Sequence, residues 1–351
     1  QQERIDVQMA GLMLRLFGHK PGSILAGIML ITAIFSMWMS NTATTAMMIV
    51  LVAPLAAQVP KGDRFRRGLI LAVPFAANIG GVGTPIGTPP NAIALGQLAD
   101  RGLHITFFEW MALAFPLMLG ALAALWCVFI FFFPSQKAHL HLAIEGEFVL
   151  HRKAVIVYGT FFTTVLLWIT GSWHGVPTAV VAILPAAVLT VTGVISREDF
   201  NSLEWNILIL IAGGIALGDG ITSTGLDQWI IKLLPQGEMP FLLLIAAFCT
   251  AALIMSTLIS NTVATNILLP IGLAVVSVAG SNVEMEVLAV LLAVTASFAM
   301  GLPISTPPNA IAYSTGQITS RDMLLVGGVT SIVTTLIVIL TGPIVIGYFL
   351  S

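Results

Sequence analysis

Charge is the scarcest property of this sequence. Only 9% of its 351 residues are Asp, Glu, Lys or Arg, against about 25% in an ordinary soluble domain. Folded in water, such a chain would expose apolar surface that soluble monomers avoid. With 57% hydrophobic residues and a mean hydropathy of +1.00, it reads as an integral membrane protein. Cysteine is nearly absent as well. Cys127 and Cys249 both sit in apolar runs, where they read as small packing residues and not as a disulfide or metal pair. The net charge of −2 offers no basic surface for nucleic acid. No cleavable signal peptide is visible, and the chain starts at Gln1 and not at Met.

Catalytic signatures are missing too. There is no His-Glu-x-x-His and no Gly-x-Ser-x-Gly. Gly218-Asp219 hints at an intramembrane aspartyl protease, but residue 216 is Ala and no second membrane Asp accompanies it, so Asp219 reads as a solvated helix end. The chain is not expected to be an enzyme.

What is present is apolar length. A helix needs roughly 20 apolar residues to span a bilayer, and long apolar runs lie near residues 107–133, 154–171, 176–195, 205–218 and 323–350. Four further runs are interrupted near their middles. Residues 23–58 break at Ser40-Asn41-Thr42, 68–98 at Gly87-Thr88-Pro89-Pro90-Asn91, 240–279 at Ser260-Asn261-Thr262, and 287–316 at Ser305-Thr306-Pro307-Pro308-Asn309.

The interruptions form an internal repeat. Ser-Asn-Thr recurs at a shift of 220, from residue 40 to 260, and Thr-Pro-Pro-Asn-Ala-Ile-Ala recurs at a shift of 218, from 88–94 to 306–312. Two signatures in the same order at nearly the same spacing mark a duplication. The first repeat occupies 1–150: an interfacial amphipathic stretch at 3–17, a hairpin 23–58, a broken helix 68–98, a span 107–133 and a cytoplasmic loop. The second occupies 151–351: spans 154–171, 176–195 and 205–218, an amphipathic stretch at 221–235, a hairpin 240–279, a broken helix 287–316 and a span 323–350. The first repeat has no counterpart of 154–218, so the N-terminal spans are expected to be missing and residues 1–351 alone are not expected to form a symmetric pair of repeats.

Lys and Arg set the orientation. If runs 23–58 and 240–279 are re-entrant hairpins, each entering and leaving on one side, then Arg4, Arg15, Lys20, Lys61, Arg64, Arg66, Arg67, Lys137, Arg152, Lys153, Arg197 and Arg321 share one face. Only Arg101 and Lys232 fall opposite. Full crossings would move Lys137, Arg152, Lys153 and Arg197 to the poor side. The fold class expected is therefore an all-α polytopic membrane protein with inverted repeats, two re-entrant helical hairpins and two broken transmembrane helices.

Irregular backbone at membrane depth survives only inside protein or along a wet cavity. Helices that stop there offer carbonyls suited to a cation and N–H groups suited to an anion, and Ser, Thr and Asn side chains serve either ion. Taken singly, Ser-Asn-Thr also makes an ordinary helix N-cap and Pro-Pro-Asn an ordinary kink; the paired placement favours a binding site. No Asp, Glu, Lys, Arg or His interrupts the four breaks, and the six histidines, His19, His104, His139, His141, His151 and His174, lie in or beside loops. Proton coupling usually needs a titratable group within the membrane. Mg²⁺ and Ca²⁺ prefer carboxylates. Na⁺ held by neutral oxygens remains.

The segments SMWMSNTATTAMM and LISNTVATNILLP, together with the two Thr-Pro-Pro-Asn-Ala-Ile-Ala breaks, resemble the divalent anion–sodium symporter family, in particular its bacterial INDY-type dicarboxylate carriers. The resemblance implies eleven spans and two hairpins per protomer in a homodimer, a multi-pass location in the cell inner membrane, and an elevator motion of a transport domain against a dimeric scaffold. It implies one sodium site at Ser36, Ser40, Asn41 and Gly87, and a second at Ser256, Ile259, Asn261 and Ser305. Substrate would meet Ser40, Asn41 and Thr42 on one side and Ser260, Asn261 and Thr262 on the other, with Thr88 and Thr306 nearby. The cargo expected is a small dianion, a C4-dicarboxylate such as succinate, with sulfate or another oxyanion as the alternative within the fold. A passive anion channel is the alternative outside it, and would need a continuous polar path that the confined clusters do not supply.

Uptake is therefore expected to follow a Na⁺ gradient and to ignore a pH gradient. Robust substrate accumulation in Na⁺-free proteoliposomes under an imposed proton gradient would refute the sodium assignment.

Overall fold

The computed structural model describes residues 15–135, 152–201, 205–226, 229, 240–279 and 282–350. The sequence's two amphipathic stretches, 3–17 and 221–235, lie largely outside these residues, as do Lys137, His139, His141 and His151. Among the described residues the structure is helical and without strands.

Thirteen helices carry the architecture: α1 Pro21–Ser36, α2 Asn41–Ala57, α3 Arg64–Gly80, α4 Pro89–Ala99, α5 Phe107–Phe132, α6 Arg152–Ile169, α7 Thr178–Val191, α8 Trp205–Ser223, α9 Phe241–Leu258, α10 Asn261–Ala279, α11 Asn282–Ser297, α12 Pro307–Ser314 and α13 Gly328–Leu350. A π-helical turn, Met323–Gly327, leads into α13. By length and composition Phe107–Phe132, Phe241–Leu258 and Ser320–Phe349 can each cross a membrane, with shorter apolar helices beside them. The molecule is a multi-pass membrane protein.

All four runs are interrupted, but with bounds other than the sequence suggests. The first and third runs break at residues 37–40 and 259–260, so Asn41 and Asn261 already open the following helices. In the second and fourth runs the helix stops well before the prolines, at Gly80 and Ser297, and resumes at Pro89 and Pro307. Pro at the first helical turn lacks only an N–H that would be unpaired anyway, so the Pro-Pro pairs start helices and do not kink them.

The helices before these two breaks are buried on nearly every side. In α3 all residues from Gly68 to Gly80 are buried, and in α11 and its continuation all from Val287 to Met300. Each short Pro-Pro helix then packs on the buried helix of the other half: α4 lies on α11 and α10, and α12 on α3 and α2. This exchange joins the halves through their centres.

Helix α5 serves as a ruler for depth. Trp126 Nε1 donates to the Gly22 carbonyl at 3.0 Å, placing the start of α1 near the C-terminal end of α5. A Cβ on Gly68, near the start of α3, would press on Phe133 at the same end. Trp110 Nε1 donates to the Val82 carbonyl in the break at 3.0 Å, sixteen residues and about 24 Å earlier on α5. The starts of α1 and α3 thus lie beside one end of α5, and Val82 in the break lies beside its other end. At that first level Arg67 pairs with Asp322 at 2.7 Å and Arg66 Nε donates to Gln317 Oε1 at 3.1 Å. These contacts group the two arginines with residues 317–322.

Large apolar side chains face outward on the peripheral helices, among them Phe131, Phe162, Leu166, Ile183 and Ile344. Such a surface fits lipid. Both cysteines are free, Cys249 buried and Cys127 exposed.

Close backbone packing makes one glycine decisive. A Cβ on Gly80 would strike the Ala33 Cα and carbonyl oxygen of α1, backbone atoms that cannot swing aside, whereas a Cβ on Gly159 meets nothing within 4 Å. Gly80→Ala should destabilise by about 1–3 kcal/mol, and Gly159→Ala should be neutral or slightly stabilising. Thermal unfolding of the purified variants measures both, and an unchanged Gly80→Ala midpoint would contradict the α1–α3 packing.

Candidate ion and anion site

Both Ser-Asn-Thr motifs start long helices. Ser40 is the extended N-cap of α2, and its Oγ accepts from Ala43 N at 3.2 Å. Ser260 Oγ accepts from Val263 N at 3.2 Å at the start of α10. The capping reading of these motifs is therefore correct. It also serves a binding role, because the first-turn N–H groups and the helix dipole favour negative charge at the same place. Ser40 is exposed, Asn41 and Thr42 half-buried, and Asn261 buried.

Behind the first motif the oxygens converge. Ser36, fully buried at the end of α1, donates from Oγ to the Ala77 carbonyl at 2.8 Å and lies 2.6 Å from the Asn41 amide. The inward atom of that amide is also 3.2 Å from the Ala77 and Gly87 carbonyls. Ser36 has one hydroxyl hydrogen, and Ala77 takes it. With nitrogen turned inward, Asn41 can give its two hydrogens to two of the three acceptors Ser36 Oγ, Ala77 O and Gly87 O. Oxygens of Ser36, Ala77 and Gly87 thus meet around the end of the Asn41 amide.

Glycine makes this convergence possible. A Cβ on Gly81 would collide with the Asn41 amide, and one on Gly87 with the Gly81 carbonyl. The surrounding loop is held by side chains whose role the sequence did not disclose. Asn91 Nδ2 donates to the carbonyls of Gly81 at 3.0 Å and Thr84 at 2.7 Å, and Thr84 Oγ1 donates to the Met37 carbonyl. The Asn of Thr-Pro-Pro-Asn is a staple for carbonyls that the broken helix leaves open. Ala77 and Gly81 escaped sequence reasoning because a carbonyl donor and a close approach leave no residue-type signal in one chain.

The second half repeats this skeleton. Ser256 Oγ donates to the Ala296 carbonyl at 2.5 Å, as Ser36 does to Ala77. Ser305 Oγ donates to the Thr257 carbonyl at 2.8 Å, and Asn309 Nδ2 donates to Leu302 at 2.9 Å and Met300 at 3.3 Å. The amide differs. Asn261 Oδ1 accepts from Thr262 N at 3.0 Å, and no hydrogen bond joins Asn261 to Ser256, Ile259 or Ser305. From Ala77 to Thr88 is eleven residues and from Ala296 to Thr306 ten; the second loop is shorter and lacks the Gly-Gly that makes room for Asn41. Ile259 is half exposed, with φ −114° and ψ −86° at the turn.

Thr88 and Thr306 are both buried N-caps of the Pro-Pro helices. Thr88 Oγ1 has no partner among the described residues. Thr306 Oγ1 accepts from Asn309 N at 3.4 Å and from Asn78 Nδ2 at 3.1 Å. Among the described residues no group of three or more His, Cys, Asp or Glu could hold a metal. A cavity of about 350 Å³ between α8 and α10 is lined by Ile209, Leu217, Val263 and Ile267, with Asn266 as its polar member. Its apolar walls suit no anion.

A family model described as citrate transporter matches residues 5–295 and again 165–350. The sodium-dependent dicarboxylate transporter SdcS of Staphylococcus saprophyticus is 30% identical, covering 96% of this chain and 72% of its own length. The sodium-dependent high-affinity dicarboxylate transporter 3 of Caenorhabditis elegans is 29% identical over 94% of this chain and 69% of its own. An uncharacterised transporter of Methanocaldococcus jannaschii is 32% identical over 89% and 72%. These relatives are transporters and not enzymes.

If the Asn41 cluster holds Na⁺, adding NaCl in exchange for choline chloride should raise the unfolding temperature by mass action. Asn41→Ala removes the amide, and Gly87→Ala pushes its backbone off the Gly81 carbonyl, so each should shrink that rise. Full Na⁺ stabilisation in both variants would dismiss the cluster as a cation site.

Proposed function

The chain belongs to the citrate-transporter family of divalent anion–sodium symporters, and we propose that it carries a small dicarboxylate, a C4 dianion such as succinate, across the membrane together with Na⁺. The observation that carries this reading is the four-oxygen cluster of Ser36, Asn41, Ala77 and Gly87, built behind the N-terminus of α2 without any charged side chain. A cation there leaves the outer face of Ser40, Asn41 and Thr42, with the open N–H groups of the first helical turn, for a carboxylate. Ser260, Asn261 and Thr262 at the start of α10 take the second carboxylate, with Thr88 and Thr306 beside them.

A second Na⁺ binds at Ser256, Ile259, Asn261 and Ser305 once the Asn261 side chain turns away from Thr262 N. The first site is preorganised and the second is completed on loading, which gives an order: the Asn41 site fills first. Both helix pairs, α1–α2 and α9–α10, act as re-entrant hairpins in inverted repeats. The shared level of the α1 start and α3 start supports this for the first pair. The hairpins and broken helices move together as a transport domain, elevator fashion, against a scaffold that dimerises in the inner membrane.

The dianion has no side-chain countercharge, so helix N-termini and bound Na⁺ must offset its desolvation. Burying either ion alone costs more than burying both. Binding is then reciprocal: Na⁺ raises succinate affinity by the factor by which succinate raises Na⁺ affinity. A coupling of about 1–3 kcal/mol, roughly 5- to 150-fold, is expected. Succinate titrations of the full-length protein at several Na⁺ concentrations, with choline holding ionic strength, measure it, with sulfate as the competing anion. A succinate affinity independent of Na⁺ would overturn the reading.

A further inference from the structure

Resting on that reading, we infer that Asn78 is a positioning residue which presets the Thr306 hydroxyl as a hydrogen-bond donor to the substrate carboxylate. Asn78 lies on α3 in the first half and is fully buried. Its side chain crosses to the second half, where Nδ2 is 3.1 Å from Thr306 Oγ1 and 3.3 Å from Asn309 Oδ1.

Its orientation follows step by step from fixed acceptors. The carbonyls of Met300 and Leu302 can only accept, so Asn309 must give them its Nδ2. Asn309 Oδ1 then faces Asn78 as an acceptor, and Asn78 must answer with Nδ2. The two hydrogens of that nitrogen go one to Asn309 Oδ1 and one to Thr306 Oγ1. Thr306 Oγ1 also accepts from Asn309 N at 3.4 Å. Both lone pairs of the hydroxyl are engaged, and no protein acceptor takes its hydrogen among the described residues. Thr306 is left able only to donate, at the start of α12 where an anion is favoured, and a carboxylate oxygen is what such a hydroxyl recognises.

The first half has no such device. Ser297 follows Ala296 as Asn78 follows Ala77, but its Oγ donates to Ala293 of its own helix at 3.0 Å. Thr88 accordingly keeps a hydroxyl with no partner. Asn78 itself retains a buried Oδ1 without a partner. An apolar residue of similar size would avoid that penalty, so packing does not explain an amide here.

The test is Na⁺-driven succinate uptake by the full-length protein in proteoliposomes, comparing wild type, Asn78→Leu, Asn78→Ser, Thr306→Val and the double variants. Asn78→Leu should raise the succinate KM about tenfold or more, the scale of a hydrogen bond to a charged group, with a smaller effect on Vmax. In the Thr306→Val background the same change should add little, since no hydroxyl remains to orient. Na⁺-induced thermal stabilisation without substrate should stay at the wild-type value. Asn78→Ser, too short to reach Thr306, gives the same comparison if the Leu variant fails to fold. An equal rise in KM in both backgrounds, or none, overturns the inference while leaving the transport function intact. Absence of Na⁺-dependent uptake in wild type removes the functional reading itself, and this inference with it.

Discussion

A helix that stops inside a hydrocarbon-clad protein leaves carbonyls and N–H groups that water cannot reach, and everything distinctive in this chain answers that constraint. The two breaks after α3 and α11 are lethal to the fold unless their open carbonyls find donors. Asn91 and Asn309 supply them from the helices that resume, each amide bridging carbonyls seven to ten residues behind it. Trp110 and Thr84 add donors to Val82 and Met37 in the first half. Once those groups are satisfied, the N-termini of α2, α4, α10 and α12 are what the proposed site draws on, beside the Gly87 carbonyl.

The same constraint explains why the halves must interlock. A short helix such as α12, of eight residues, has little stability of its own. It is held by packing on α3 and α2 of the other half, as α4 is by α11 and α10. Neither break can therefore be rearranged without disturbing the opposite repeat. Asn78 makes this physical at one point, since the peptide carbonyl just before it belongs to the first cluster and its side chain to the second break. The exchange of short helices brings the two breaks into one packed centre.

Much of this was legible in the residues. The repeat, the four interruptions and the membrane class follow from spacing and hydropathy, because a polar cluster inside an apolar run has few reasons to exist. Of the expected set Ser36, Ser40, Asn41 and Gly87, the structure brings Ser36, Asn41 and Gly87 around one point, while the Ser40 hydroxyl caps α2. Ser256 and Ser305 adopt the equivalent hydrogen bonds, but Asn261 does not join them. That difference was hidden because it depends on loop length and on Gly81, whose significance is the absence of a Cβ beside one amide. Ala77 was hidden because any residue has a carbonyl. The helix ends at Gly80 and Ser297 were missed because the prolines drew the boundary, while the chain leaves the helix earlier, at Gly-Gly in one half and before the turn at Phe298 in the other.

Neutral ligands also decide how selectivity and coupling can arise. A site with a fixed Arg or Lys would hold a dianion whether or not Na⁺ were present, and the gradient would be uncoupled from the cargo. Serine, threonine and asparagine dipoles are too weak to offset two buried negative charges alone. They are adequate to arrange cations that do. On the proposed reading the amide of Asn41 suits this because its two ends have opposite sign: nitrogen can donate into the pocket without the ion, and oxygen can coordinate with it. A carboxylate at this position would bind Na⁺ more tightly and, with the ion gone, leave a buried charge against the carbonyls of Ala77 and Gly87. Release would then be the slow step. On the proposed reading, neutrality at the breaks is what would let the same site bind on one side of the membrane and let go on the other.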